Sequence, residues 1–429
     1  MLKDKINKKT AKICVIGMGY VGLPLAVAFA KKGYFVYGFD TSSIKVQRLQ
    51  KGVKYIADID PNDVTKLIKS GKLHPSENNK IIAKADVVII CVPTPLRKIK
   101  IPDISYVVKA SATIRKNLKS NQLVVLESTS YPATTREVVL PELKKSGLKE
   151  GHDFFLCFSP ERVNPGDKKY PLTKIPKVVG GLSAKSSELA KALYSRIIKD
   201  VVVVSSPEVA ETSKLLENTF RLVNIGLANE FAMICHKMGI DVWEVIEAAK
   251  TKPFGFMPFY PGPGAGGHCL PADPVYLSWK AKKLGFKTKM IDLAVEVNHF
   301  MPKHIVCKVK DLLTERKIPI TTAKVLILGV TYKKDVNDLR ESPALDIIEG
   351  FMKNKIKVDY YDPLVPYLKI GTINLKAVRL TKKVLAQYDC VALITAHTGV
   401  NYEFIRKNAK LVFDTRNTYK KKFDNIRGL

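Results

Sequence analysis

Residues 12–40 read KICVIGMGYVGLPLAVAFAKKGYFVYGFD. A β-branched run stops at Gly17, a G-x-G-x-x-G turn (Gly17, Gly19, Gly22) opens an amphipathic segment, and a second apolar run stops at Asp40. In a strand-turn-helix of this kind the first glycine makes the tight turn, the second lets a pyrophosphate approach the backbone and the third packs helix on strand. The phosphates then sit at the helix N-terminus. Three glycines alone are a weak signal; the acid that ends the next strand, eighteen residues after Gly22, turns them into a dinucleotide fingerprint. Its carboxylate is placed to accept from a ribose 2′-hydroxyl and would repel a 2′-phosphate, so NAD is expected rather than NADP. Val21, in the same turn, is a further expected cofactor contact.

Outward from this unit, DVVIICVPTP, LVVLEST and DFFLCFSPE read as buried strands separated by segments of helical spacing. That alternation predicts a parallel sheet covered on both faces. Ligands of such sheets lie outside the carboxyl ends of the strands, where Thr94 and Thr129 fall. Beyond Pro207 the pattern becomes one long helix to about Gly239, with proline suited to the first turn and glycine to the C-terminal cap. Glu211, Lys214, Asn218 and Arg221 recur on it at three- and four-residue steps, a polar stripe that is either a solvated face or a site. After about Lys317 the alternation restarts with AKVLILGVTY, ESPALDIIEGFMKN, KVDYYDP, DCVALITA and AKLVFDTRN. The expected fold is therefore α/β: two Rossmann-like doubly wound parallel-sheet domains joined by a long central helix and a helical middle domain.

The 429 residues exceed one ordinary core, and 46% hydrophobic content supplies several. No run of eighteen apolar residues occurs, and the lysine-rich start leads into a strand rather than a signal segment. A cytoplasmic protein without a membrane partner is expected. The net charge of +31 raises a nucleic-acid reading. Its lysines are spread along the whole chain without an aromatic RNA-binding motif, which favours a solvated basic surface that steers anionic small molecules. No specific nucleic-acid partner is expected.

Seven cysteines stand at 14, 91, 157, 235, 269, 307 and 390, without a C-x-x-C pair or a Cys/His cluster of zinc spacing, so no metal site is expected. Only Cys269 sits in a glycine-rich loop, PGPGAGGHCLPADP (261–274), with Asp273 four residues on. A thiolate there can add to an aldehyde as a thiohemiacetal, which loses a second hydride to become a thioester. A buried loop cysteine is the plain alternative. Adjacent side chains in an extended loop point apart, so His268 is not the expected base.

GMGYVGLPLA, CVPTPL, ESTSYPATT, FSPERVNPG, KLLENTFRLVNIGLANEFA, PGPGAGGHCLPADP and TYKKDVNDLRESPA occur in an order that resembles the UDP-glucose/GDP-mannose dehydrogenase family along nearly the whole chain. The thiol loop and VPTPLRKIKIPDISYV look most like the group acting on UDP-N-acetylglucosamine or UDP-N-acetylmannosamine at C6. The resemblance implies NAD-dependent oxidation of an alcohol to a uronate, with Cys269 as nucleophile and Asp273 its partner. Lys214 and Asn218 match the pair steadying the oxygen on C6, and Glu161 with Thr129 matches groups of acid/base work or thioester hydrolysis. Asp40, Lys45, Thr94, Thr129 and Arg340 match cofactor contacts. Lys333 resembles a contact of the substrate's nucleotide, and Gly266, Glu161, Lys214 and Asn218 are expected on the substrate. The expected divisions are 1–205 for NAD, 206–316 for a central helical dimerisation and catalytic domain, and 317–429 for the UDP-sugar, in a homodimer joined through the central helix. Glu161 is followed by an unusual run for a UDP-glucose enzyme, which weakens that alternative. A two-electron β-hydroxyacid-type dehydrogenase would lack both the thiol loop and the second α/β domain.

Overall fold

The computed structural model of the protein describes residues 1–56, 59–97, 101–164 and 169–429; Lys98–Lys100 and Pro165–Gly166, within two of the motifs above, lie outside them. The chain forms two compact units, Met1–Glu217 with Val275–Phe286, and Asn218–Pro274 with Lys287–Leu429.

In the first unit, β1 (Lys12–Ile16), β2 (Phe35–Phe39), β3 (Leu73–Ser76), β4 (Val87–Ile90), β5 (Gln122–Leu126), β6 (Phe154–Phe158), β7 (Lys177–Gly181) and β8 (Val201–Val204) form one sheet. Its order is β3-β2-β1-β4-β5-β6-β7-β8. Every neighbouring pair is parallel except β6 and β7. Side chains of a strand alternate between faces. Ile13 and Val15 accordingly enter one core while Cys14 and Ile16 enter the other, so both faces of β1 are covered. The strand order reverses between β1 and β4, which opens a crevice at their carboxyl ends. Helix α1 (Gly22–Lys31) starts beside that crevice. The sequence pattern missed β3, β7 and β8. The first holds a proline and a histidine, the second ends in two glycines, and the third is a half-exposed edge strand without alternation.

Helix α2 (Pro207–Met238) has the expected bounds, with Gly239 at φ +71° just beyond its end. Helix α3 (Asp273–Lys283) follows the thiol loop, and α4 (Met290–Glu315) precedes the second sheet. That sheet holds β9 (Lys324–Leu328) and β10 (Lys357–Tyr361), separated in the chain by α5 (Pro343–Lys353). A hairpin, β11 (Tyr367–Ile370) and β12 (Ile373–Lys376), stands apart from it. The sheet continues with β13 (Cys390–Leu393), β14 (Val412–Asp414) and β15 (Ile426–Gly428), all parallel in the order β10-β9-β13-β14-β15. Val325 and Ile327 face one core and Leu326 and Leu328 the other, repeating the plan of β1. No helix among the described residues is long and apolar enough to cross a membrane.

Candidate active site

The fingerprint turn is fixed by backbone crossings. Gly17 has φ +93°, its N–H donates to the Phe39 carbonyl at 2.8 Å, and a Cβ there would lie 2.5 Å from the Cys91 carbonyl oxygen. A Cβ on Gly22 would overlap the Gly17 carbonyl, whereas Gly19 faces open space. Gly19 thus presents bare backbone at the start of α1, with Val21 as the residue that caps the helix. This is a cradle fitted to a pyrophosphate.

Asp40, 6% exposed, accepts from the N–H of Met18 at 2.9 Å, the N–H of Ser42 at 2.9 Å and Lys45 Nζ at 3.1 Å. Its carboxylate is therefore aimed before any ligand arrives. Hydrogen bonds to charged groups contribute about 1.5–3 kcal/mol each. Asp40→Ala is expected to weaken NADH binding by about tenfold to a hundredfold, read by fluorescence titration.

Thr94 and Thr129 come together, since the Thr94 hydroxyl donates to the Thr129 carbonyl, and the Tyr276 hydroxyl donates to the Thr94 carbonyl. Below them lies a buried charge network. Lys177 Nζ stands 2.8 Å from Glu127 Oε2 and 3.8 Å from Glu161 Oε2. The Tyr194 hydroxyl donates to Glu127, and the N–H groups of Arg162 and Val163 donate to Glu161 Oε1 at 2.8 and 2.6 Å. On α2, Glu211 and Lys214 are buried. Glu211 accepts from the N–H groups of Ala133 and Thr135 and from the Thr135 hydroxyl. Burial pushes its carboxyl up to about 7 against those donors. It thus fastens a loop, which accounts for one member of the polar stripe. Arg221 is exposed, whereas Lys214 and Asn218 are buried at 8% and 4% exposure.

The second unit brings Asn218, Asp273 and Cys269 together. Asn218 Nδ2 donates to Asp273 Oδ2 at 2.5 Å, and the Asp273 N–H donates to the Cys269 carbonyl at 2.9 Å. The exposed Cys269 thus lies in the turn that starts α3, the positive end of a helix. Cys14, Cys91, Cys157, Cys235 and Cys390 are buried, and Cys307 is exposed on α4.

The loop's glycines have a packing reason. A Cβ on Gly266 would lie 2.6 Å from the Glu341 carbonyl oxygen, and one on Gly267, at φ +87°, would lie 2.6 Å from the Tyr332 ring. The Gly267 N–H also donates to the Arg340 carbonyl at 3.1 Å. Gly267→Ala combines a backbone strain with a ring clash and is expected to destabilise this unit by about 2–4 kcal/mol, read by urea unfolding. Burial, and then the Arg340 charge, hold the His268 imidazole below its ordinary value.

The segment 331–341 carries Lys333 and Arg340 and is pinned around a buried imidazole. The Asp335 N–H donates to His397 Nδ1 at 3.0 Å, while His397 Nε2 lies 3.1 Å from Asp362 Oδ2 and 3.2 Å from the Thr331 hydroxyl. Arg340 pairs with Asp338 at 2.6 Å. Gly329, at φ +83°, donates to the Tyr361 carbonyl at 2.8 Å, and Val330 N–H donates to Asp362 at 2.7 Å. These bonds reproduce those of Gly17, Met18 and Asp40, but here the protein's own histidine occupies the acid.

Family models for the NAD-binding, central and UDP-binding domains of the UDP-glucose/GDP-mannose dehydrogenase family match residues 11–198, 208–300 and 326–421. The chain belongs to this family. It is an NAD-dependent nucleotide-sugar dehydrogenase. A UDP-N-acetyl-D-glucosamine 6-dehydrogenase of Pseudomonas aeruginosa is 41% identical over 94% of this chain and 95% of the relative. A UDP-N-acetyl-D-mannosamine dehydrogenase of Pyrococcus horikoshii is 37% identical over 95% and 96%. A solved UDP-D-ManNAc dehydrogenase structure from Pyrococcus horikoshii superposes with a TM-score of 0.88 at 34% identity, covering 97% of this chain and 98% of that one.

Sequence reasoning about this dehydrogenase missed Glu127, Lys177, Tyr276, Tyr332 and His397. Two signals stood in the text: a lysine opening the valine run KVVGG, and a glutamate ending the strand in LEST. A charge at the edge of a fully apolar strand needs a partner when buried.

Proposed function

We propose that this enzyme oxidises the C6 alcohol of a UDP-N-acetylhexosamine to the uronate in the cytoplasm, with UDP-N-acetylglucosamine preferred and UDP-N-acetylmannosamine next. The observation that carries the reading is the hydrogen-bonded set Asn218, Asp273 and Cys269. Two of its members are the groups that covalent aldehyde oxidation needs, a thiol and a carboxylate that manages a proton. NAD, held at Gly17, Gly19, Val21, Gly22, Asp40, Lys45, Thr94, Thr129 and Arg340, supplies a hydride acceptor for each of the two oxidations.

Lys214 and Asn218 steady the oxygen on C6, the lysine as a fixed ammonium aimed at developing negative charge. Cys269 sulfur adds to the aldehyde carbon, and loss of a second hydride from that carbon leaves a thioester. Water activated by Glu161 near Thr129 then releases the acid. Lys333 and Gly266 contact the nucleotide sugar. The preference for the glucosamine epimer is supported by the higher identity to the Pseudomonas aeruginosa relative. The three-part division at 205/206 and 316/317 assigns cofactor, catalysis and UDP to successive segments. The test is NADH formed per sugar consumed with UDP-N-acetylglucosamine, UDP-N-acetylmannosamine and UDP-glucose. Two per sugar with an N-acetyl substrate is expected; one per sugar would refute the thioester route.

A homodimer through α2 belongs to the same proposal. Leu216, Phe220, Leu227, Phe231, Ile234 and Met238 follow at steps of three, four and seven along α2, each 46–65% exposed. A stripe of that size on a monomer surface calls for a partner. Phe231→Asp is expected to shift sedimentation from a dimer to a monomer.

A further inference from the structure

Resting on the reading of Glu161 as the group that activates water, we propose that Lys177 is a positioning residue for thioester hydrolysis: it holds the Glu161 carboxylate in its charged, base-competent form. The Lys177 side chain is 4% exposed, Glu127 is fully buried and Glu161 is 13% exposed. One ammonium therefore serves two carboxylates, and only Glu161 reaches toward solvent. Its other oxygen is already fixed by the two backbone N–H groups of Arg162 and Val163, so Oε2 is the oxygen turned to Lys177 Nζ, at 3.8 Å.

The remaining groups around the ammonium do not compete for that role. Tyr194 gives its hydroxyl proton to Glu127 and offers its ring to Lys177 at 5.2 Å. Burial pushes the Cys91 and Cys157 thiols far up, so they stay neutral. Burial works against the ammonium itself, but Glu127 and Glu161 outweigh it and keep Lys177 protonated. Arg162, the next cation along the chain, is turned to Glu217 at 2.6 Å and to the Pro176 carbonyl. In the hydrolytic step the water oxygen bonds to the acyl carbon and the water proton passes to Glu161. The carbon–sulfur bond breaks with its electron pair on Cys269 sulfur. A protonated Glu161 has no capacity for that proton. Burial already pushes the Glu127 carboxyl up and the Glu161 charge adds to it; without Lys177 the two carboxylates drawn to one ammonium lose their shared counter-charge, and the pair takes up a proton.

The test measures the NADH burst and steady-state turnover across pH for wild type, Lys177→Met, Lys177→Arg and Glu127→Gln. Lys177→Met is expected to keep the burst of the hydride steps. Its steady-state turnover should fall about 10²-fold, and the acid limb of its profile should move to higher pH. Lys177→Arg should recover most of the rate. Glu127→Gln removes the competing carboxylate, so its limb should move to lower pH. This opposite sign separates electrostatic control from structural damage, and it decides the matter alone if Lys177→Met does not fold. Unmoved limbs, or a loss confined to the burst, would overturn the role of Lys177. A wild-type yield of one NADH per sugar would instead remove the thioester step and this assignment with it.

Discussion

Cys269→Ser is expected to lower steady-state uronate formation by about 10³-fold or more, while NADH binding stays within about twofold of wild type. A serine hydroxyl is not ionised near neutral pH, so the aldehyde is not captured and the second oxidation has no covalent substrate. Cofactor affinity is the internal control, because the fingerprint and Asp40 belong to a different compact unit from Cys269. Steady-state NADH release and product analysis for the uronate read the result. A variant that forms uronate at the wild-type rate would reduce Cys269 to an exposed loop residue.

Lys214→Ala is expected to lower kcat by about 10²–10³-fold with a much smaller change in KM. Lys214 is 8% exposed, so its charge acts with little screening by bulk water. In the role proposed for it, the ammonium faces the negative charge that forms on the C6 oxygen as the alcohol proton leaves and again as the thiolate adds to the aldehyde carbon, an effect felt in kcat. A change confined to KM would make Lys214 a ground-state contact of the sugar.

The cofactor cradle was legible because its constraints are local. Gly17 and Gly22 are dictated by backbone crossings within a strand-turn-helix, and Asp40 by the end of the adjacent strand. The long helix was equally plain, yet its polar stripe was ambiguous. Glu211, Lys214 and Asn218 are buried and Arg221 is exposed, and only tertiary packing separates them. The thiol loop was found by its composition, but the reason for its glycines was not. The Tyr332 ring and the Glu341 carbonyl fill the space, some seventy residues further along the chain. Glu127 and Lys177 left a signal as charges at the edges of apolar strands, but their meeting with Glu161 was hidden for the same reason. The network joins strand ends whose adjacency follows from the sheet order, including an antiparallel β6–β7 pair that no local pattern announces.

The clasp around His397 has a consequence for the heat of nucleotide binding. Residues 331–341 are tied down by Asp335, Thr331 and the Arg340–Asp338 pair, so a nucleotide held at Lys333, as proposed, would meet a segment whose backbone is already fixed by hydrogen bonds. Binding there is expected to proceed without coupled folding of the segment. Calorimetry of UDP should accordingly show a small negative heat-capacity change, set by the contact area of the ligand rather than by coupled folding.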